Sequence, residues 1–551
     1  MKLLNSIVLV VFALGIASAH GVQRQQRSQK PRSDAKLVSA GESSQQREVA
    51  LLLGAGKLEQ AEALARAEVN ANPRSAVSHV MLGIVFDQLG RSTEAEQEYR
   101  EALRLDPRSP LALTNLGVLL ARTNRAEEAI ASFEKSLVIL PTHAPSLFNL
   151  GALYLARKDY VRAIAVLERA SRTKEGHDVA PLVMLVDAYA HAGRAAETAR
   201  VLKEIEALAN NNASVLFTVG LSLADAGDYV DAARLFERTN SLRPDTYEVL
   251  YNLGLALLNS ERLDESRTIL QRAATLRPQE PEPFYRLGLI ASARNESENA
   301  IGLWQRAVLL RPVYPEVHFM IAEELYKNRR FDRAIPFYER AIEQDANNVL
   351  YHMRLGVAYF RDRKYSAAHE ALQRANVRFP NNAILQYLSG YVARAEGLFD
   401  EALVWFQRSD SLQPGNVDVL ANMGFIHMER GQYDEAERLL KRAAGLDAKH
   451  FPANYDLGRL LVRLRRYDEA LPILERAATL IKTDPGIHYQ LFIAYSRLKR
   501  TADAQKELAV FKRLEEARKR GEAPADESAA NEQPIPEIIE STAAGARSAK
   551  P

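Results

Sequence analysis

Apolar residues along the chain fall into short runs that read as buried helix faces, and many of these runs carry the pair Leu-Gly. The pair returns at a constant interval. Gly83, Gly117 and Gly151 are 34 residues apart, as are Gly220, Gly254 and Gly288, and Gly356, Gly390, Gly424 and Gly458 keep the same count. With this glycine as position 8 of a repeat, alanine holds position 20 from Ala95, Ala129 and Ala163 through Ala232, Ala300 and Ala334 to Ala470. Position 17 is mostly aromatic (Tyr160, Tyr229, Phe331, Tyr365, Phe399, Tyr433, Tyr467). Position 32 is often proline (Pro73, Pro107, Pro141, Pro244, Pro278, Pro312, Pro380, Pro414).

Each preference has a physical reason. Glycine at 8 and alanine at 20 predict two helix backbones in close approach, where a larger side chain would overpack the crossing. The ring at 17 then fills the space between neighbouring hairpins. Proline at 32 lacks an amide proton and disfavours helix in the residue before it, so it closes the second helix. The unit is a helix-turn-helix of about 34 residues that buries its apolar face only by stacking on copies of itself.

Leu82-Gly83, Gly90, Ala95, Tyr99, Ala102 and Pro107 sit together at the spacing of one tetratricopeptide repeat, and the chain resembles that family throughout its repeating part. Repeats begin at 42, 76, 110, 144, 179, 213, 247, 281, 315, 349, 383, 417, 451 and 485, covering 42–518. The resemblance implies an all-α fold, a right-handed α-solenoid whose first helices line a concave groove. Three places depart from the pattern. The step from 144 to 179 is one residue longer, its joint reads Glu175-Gly176-His177-Asp178, and the next repeat has Val186 at position 8 and Thr198 at 20. A hinge or change of curvature is expected there. The first repeat (Val49 at position 8) and the last (Phe492) diverge as end units do.

Residues 1–19 read as a signal peptide: Met1-Lys2, an apolar run from Ile7 to Ala17, and Ala17-Ser18-Ala19 before a cleavage point at His20. The run is short for a membrane span, which needs roughly 20 apolar residues. An exported chain without a transmembrane span after signal removal is expected, in the periplasm, outer envelope or outside the cell. Residues 20–41 form a basic linker and 519–551 a tail, both too poor in large apolar residues to order by themselves.

Composition narrows the chemistry. Lys and Arg (72) nearly balance Asp and Glu (70), which gives no global charge for nucleic acid. No cysteine is present, which removes disulfides, thiolate metal sites and thiol nucleophiles. Leu53-Gly54-Ala55-Gly56-Lys57 lacks both the upstream glycine, where Leu51 stands, and the hydroxyl residue, where Leu58 stands, of a phosphate loop. The eleven histidines show no zinc-site spacing, and no Gly-x-Ser-x-Gly elbow occurs. No enzyme, cofactor or metal is expected.

Binding is where the repeats differ. The resemblance implies that positions 2, 5, 6, 9, 12 and 13 of each first helix face the groove. Position 6 is asparagine at Asn115, Asn149, Asn252 and Asn422, and other residues interrupt the column. An amide offers donors and an acceptor to an extended peptide backbone, or else bonds within the scaffold; a similar column lines the repeats of O-linked N-acetylglucosamine transferases. Position 5 is aromatic at Phe148, Phe217, Tyr251, Tyr285, Phe319, Tyr387, Tyr455 and Tyr489, for stacking on ligand or for packing. Position 2 carries Glu248, Glu282 and Glu316, with Glu323 at position 9, a column suited to receive a basic peptide; the first three equally suit the helix dipole. Arg394, Arg459, Arg463 and Arg497 stand at positions 9, 12 or 13 of later repeats, where an acidic peptide would meet them. No three successive repeats supply the family's clamp for a C-terminal carboxylate. The expected function is a non-enzymatic scaffold that binds protein or peptide segments in the groove; the alternative is an accessory subunit for polysaccharide handling that uses the aromatic column.

Overall fold

The computed structural model describes residues 44–173, 179–209 and 211–520. The proposed signal peptide, the basic linker, the joint at 175–178 and the tail from 521 lie outside the described residues. Among the described residues there are 28 helices and no strand. They form two compact units, divided after Pro278. No helix among the described residues is long and apolar enough to cross a membrane.

Local sequence sets the helix boundaries. First helices begin behind polar caps: the Ser75 hydroxyl accepts from the Ser78 amide, Ser109 from Ala112, Asn382 from Leu385 and Asn416 from Val419. Proline opens the helices Pro110–Arg122, Pro281–Ala293, Pro315–Lys327 and Pro485–Arg497, where its missing amide proton costs nothing. Second helices run 14 residues in most repeats, as in Ser92–Leu105 and Phe399–Leu412.

The turn between the two helices is the same in every repeat. Position 15 has positive φ in all of them, at Gly56, Gly90, Gly193, Gly227, Gly397 and Gly431 and also at Asn124, Lys158, Glu261, Asn295, Arg329, Arg363, Arg465 and Lys499. The following amide then reaches back to the first helix, Arg91 to the Phe86 carbonyl and Arg125 to that of Leu120, both at 2.8 Å. That bond is the helix-ending motif a left-handed residue permits.

The glycine at position 8 makes room for a side chain rather than for a backbone. A Cβ on Gly117 would lie 2.6 Å from Phe133, and one on Gly390 would lie 2.7 Å from Phe406. These rings come from position 24 of the second helix in the same repeat, where Tyr99, Phe236, Leu270 and Trp304 do the same work. The expected backbone approach is thus replaced by a ring or leucine laid across the glycine. Only at Gly424 does backbone of the second helix, the Ala436 carbonyl, come among the nearest atoms. The alanines at position 20 are fully buried. In the repeat at 179, Val186 is buried in place of the glycine, and the Thr198 hydroxyl in place of alanine donates to the Arg194 carbonyl at 3.0 Å.

Within each unit, successive first helices pack directly, as Val417–Glu429 does on Phe451–Arg463, while a second helix reaches the next repeat through that repeat's first helix. First helices therefore lie on the inner side of the bend. On the outer side a ladder of arginines at position 16 ties repeat to repeat. Arg125 pairs with Glu128 of its own second helix at 2.6 Å and with Glu96 of the preceding one at 2.8 Å. Arg466 does so with Glu469 and Glu437, Arg262 with Glu265 and Glu237, and Arg91 with Glu94 and Glu62.

Candidate functional site

The candidate residues all stand on first helices, at different depths. In unit 1, Asn115 and Asn149 are half-buried, and each Nδ2 donates to the carbonyl four residues back, Leu111 at 2.9 Å and Pro145 at 2.8 Å. Asn252 bonds the Glu248 carbonyl in the same way at 2.7 Å. A short amide in mid-helix competes for its own helix's backbone, and that is what these do. In unit 2, Asn422 does likewise with Asp418 at 2.7 Å, but it is buried and its Oδ1 has no partner.

The aromatic column divides by depth. Phe319 and Tyr387 lie inside the core, 3 % and 4 % exposed, Phe319 between the rings of Tyr338 and Tyr351 and Tyr387 against Phe406. Burial, with Asp418 nearby, holds the Tyr387 hydroxyl well above its ordinary range. Phe148 is half-buried, and Phe217 tilts on Phe236. Tyr251 stacks on Tyr247, Tyr285 tilts on Tyr314 and Tyr455 stacks on Phe451. Tyr489 alone of the column is exposed, at 43 %.

The acidic column is partly spoken for. Glu248 pairs with Arg277 at 2.5 Å and Glu282 pairs with Arg311, in both cases position 2 with position 31 of the same repeat. Glu316 is exposed. Glu323 is turned inward: its Oε1 accepts from the Tyr338 hydroxyl at 2.6 Å and lies 3.2 Å from Nε of the buried Arg354.

The later arginines converge. Arg394 Cζ lies 5.0 Å from the centre of the Phe425 ring and 5.3 Å from that of Tyr391. Arg459 approaches the same Phe425 ring at 6.0 Å and Tyr455 at 5.6 Å, while bonding Asp456 at 3.0 Å and Glu429 at 3.1 Å. Arg463 extends the row, 3.7 Å from Glu429 and donating to the Met428 carbonyl at 3.3 Å. Arg497 is exposed one repeat further. Burial pushes the Asp456 carboxyl up to about 6, against the opposing pull of Arg459 and Arg394. Three first helices, Ala383–Ala395, Val417–Glu429 and Phe451–Arg463, thus build one surface in which a phenyl ring stands between two guanidinium groups. Phe425 and Glu429, at positions 9 and 13, complete it and were missed in the sequence; their signal was the pairing of the same positions in the repeat between two arginine-bearing ones.

Among the described residues, no three His, Asp or Glu side chains gather where a metal would bind. Tetratricopeptide repeat models match residues 49–110, 80–144, 218–281, 285–349 and 353–417, with further matches at 146–179, 393–457 and 428–478, together more than half of the chain. The chain belongs to the tetratricopeptide repeat family. Among curated proteins, no sequence matches this tetratricopeptide chain significantly. Its similar solved structures include yeast Tom70, at 18 % identity and TM-score 0.31, covering 83 % of this chain and 98 % of that one. The C-terminal part of a tetratricopeptide repeat-containing protein from Cytophaga hutchinsonii is similar at 16 % identity and TM-score 0.40, over 44 % of this chain and 99 % of that one. The Cut9 and Hcn1 hetero-tetramer of the APC/C follows at 14 % identity and TM-score 0.32, covering 83 % and 96 %. The family assignment of this tetratricopeptide chain rests on the repeat models, and it makes the chain a protein-interaction scaffold.

Proposed function

We propose that this scaffold is exported and non-enzymatic, and that it holds acidic segments of partner proteins against the first helices of its second unit. The row of Arg394, Phe425, Arg459 and Arg463 supports this reading. The row sets three guanidinium groups against the carboxylates of Asp456 and Glu429, an excess of one positive charge, and the exposed Arg497 follows one repeat further. Guanidinium groups grip carboxylates bidentately, and a ring beside them offers an apolar seat for the residue between two acidic ones.

The test is direct titration of the full chain with a labelled peptide of alternating Glu and Phe, read by fluorescence polarisation, beside a Lys-and-Phe peptide of equal length. The acidic peptide is expected to bind, more weakly as salt rises, and Arg394→Ala with Arg459→Ala is expected to weaken it about tenfold or more. Equal binding by the double variant, or tighter binding of the basic peptide, sinks the reading. Export is checked separately by N-terminal sequencing of the protein from its native source. A mature chain that begins at His20 supports it, and a full-length chain recovered from the cytoplasmic fraction alone overturns it.

A further inference from the structure

On the outer side of unit 2, an open cleft of about 800 Å³ lies between the C-terminal ends of two successive second helices, Tyr365–Arg378 and Phe399–Leu412. Its walls are apolar and wet: Val377 is 85 % exposed, Val404 and Leu412 nearly half, and the half-buried Trp405 lies between them. Two amides line the same cleft, Asn376 and Gln386, each more than nine-tenths buried. The Asn376 Nδ2 donates to the Leu372 carbonyl at 3.0 Å and to Ser389 Oγ at 2.6 Å, and the Gln386 Nε2 donates to the Pro380 carbonyl at 3.0 Å. Both donors are therefore used, while Asn376 Oδ1 and Gln386 Oε1 have no partner. Those two oxygens are themselves buried, so what the cleft offers an occupant is its exposed apolar wall of Val377, Val404, Trp405 and Leu412, which calls for apolar side chains. Arg408, its guanidinium 4.9 Å over the Trp405 ring, adds a positive edge.

The chain itself supplies such an occupant. After Arg520 there are only three large apolar residues, Ile535, Ile538 and Ile539, and they sit together with Glu537 and Glu540 in the stretch IPEIIE at 535–540. Pro534 and Pro536 favour an extended backbone. These residues lie outside the described ones, and it is their sequence that fits. The reach also fits. Arg520 closes the second helix of the last repeat, on the same C-terminal edge as the cleft and three repeats on. Three helix diameters make about 30–36 Å, and the intervening 14 residues span up to about 50 Å. We propose that the cleft lined by Asn376, Gln386 and Trp405 is a docking site for residues 535–540 of the same chain, which would cover the outer side of unit 2 and tie the tail back onto the array.

The chain holds two tryptophans, Trp304 in the core at 1 % exposure and Trp405 in the cleft, so a Trp304→Phe background leaves Trp405 as the reporter. Acrylamide quenching is compared between that full-length chain and the same chain carrying Ile535→Ser, Ile538→Ser and Ile539→Ser. Docking predicts a Trp405 that is shielded in the first and quenched in the second. A synthetic peptide of residues 532–541 added to the serine variant should restore the shielding, and Arg408→Glu should weaken that peptide about tenfold. Equal quenching in both chains overturns the proposal, as does a peptide without effect. Shielding that grows with protein concentration also overturns it, since a second copy is then the occupant.

Discussion

Glu323→Ala is expected to destabilise unit 2 by roughly 3–5 kcal/mol, the cost of breaking a buried ion pair from one side. Arg354 is 6 % exposed and Tyr338 fully buried, and both direct a polar group at the same Glu323 oxygen. Removing the carboxylate takes away the acceptor that lies 3.2 Å from this buried guanidinium, which also stands 5.8 Å from the centre of the Tyr326 ring. Glu323→Gln keeps an acceptor for the Tyr338 hydroxyl and should lose less. Glu316→Ala, an exposed carboxylate of the same helix, should stay within about 0.5 kcal/mol. Repeat arrays need not unfold in one step, so the measurement is hydrogen exchange in Phe331–Gln344 and Val349–Arg361 rather than a global midpoint. Unchanged protection in those helices would show that the pair contributes nothing.

A second large effect is expected with pH. Asp456 is 4 % exposed, and burial raises its carboxyl from the ordinary 3.8 to about 6. Between these values the folded chain holds a proton that the unfolded chain has released, so stability falls as pH rises through this window. The difference of about two pH units corresponds to about 3 kcal/mol at most. Hydrogen exchange in Phe451–Arg463 should therefore be slower at pH 5 than at pH 7, after correction for intrinsic rates. Asp456→Asn should flatten that dependence. The same proton acts on binding: once Asp456 is neutral, Arg459 loses one of its two carboxylate partners and the row becomes more positive. An acidic peptide is expected to bind more tightly at pH 5.5 than at pH 7.5, and the asparagine variant to bind alike at both. A wild-type affinity that does not change with pH would count against Asp456 as the titrating group.

The repeat was legible because its positions are fixed by packing that recurs. Leu-Gly, the alanine at 20 and the proline at 32 return wherever one hairpin meets the next. What fills the space over Gly117 or Gly390 was harder to read, since tyrosine, phenylalanine, leucine and tryptophan all serve at position 24 and no single letter recurs. The left-handed turn at position 15 suits the residue itself at Gly56 but not at Arg329 or Glu261, where the surrounding hydrogen bonds impose a conformation the residue disfavours. The candidate face was legible by column and not by depth. Periodicity places Phe319 and Tyr489 on one line, and only the stacking of rings from neighbouring helices separates the buried one from the exposed one. Likewise Glu248 and Glu282 gave no sign of Arg277 and Arg311, because the partner stands at the far end of the hairpin.

The arginine ladder at position 16 has a mechanical meaning. Successive second helices meet chiefly through the first helix between them, so little apolar surface resists their being drawn apart or pressed together. Charge pairs such as Arg125 with Glu96 and Arg466 with Glu437 bridge that gap. They are accessible to ions, and screening loosens them without touching the core. Each unit is in this sense a spring whose stiffness is set on its outer side by the ionic strength of its surroundings, while on the inner side the direct packing of successive first helices holds its repeats together.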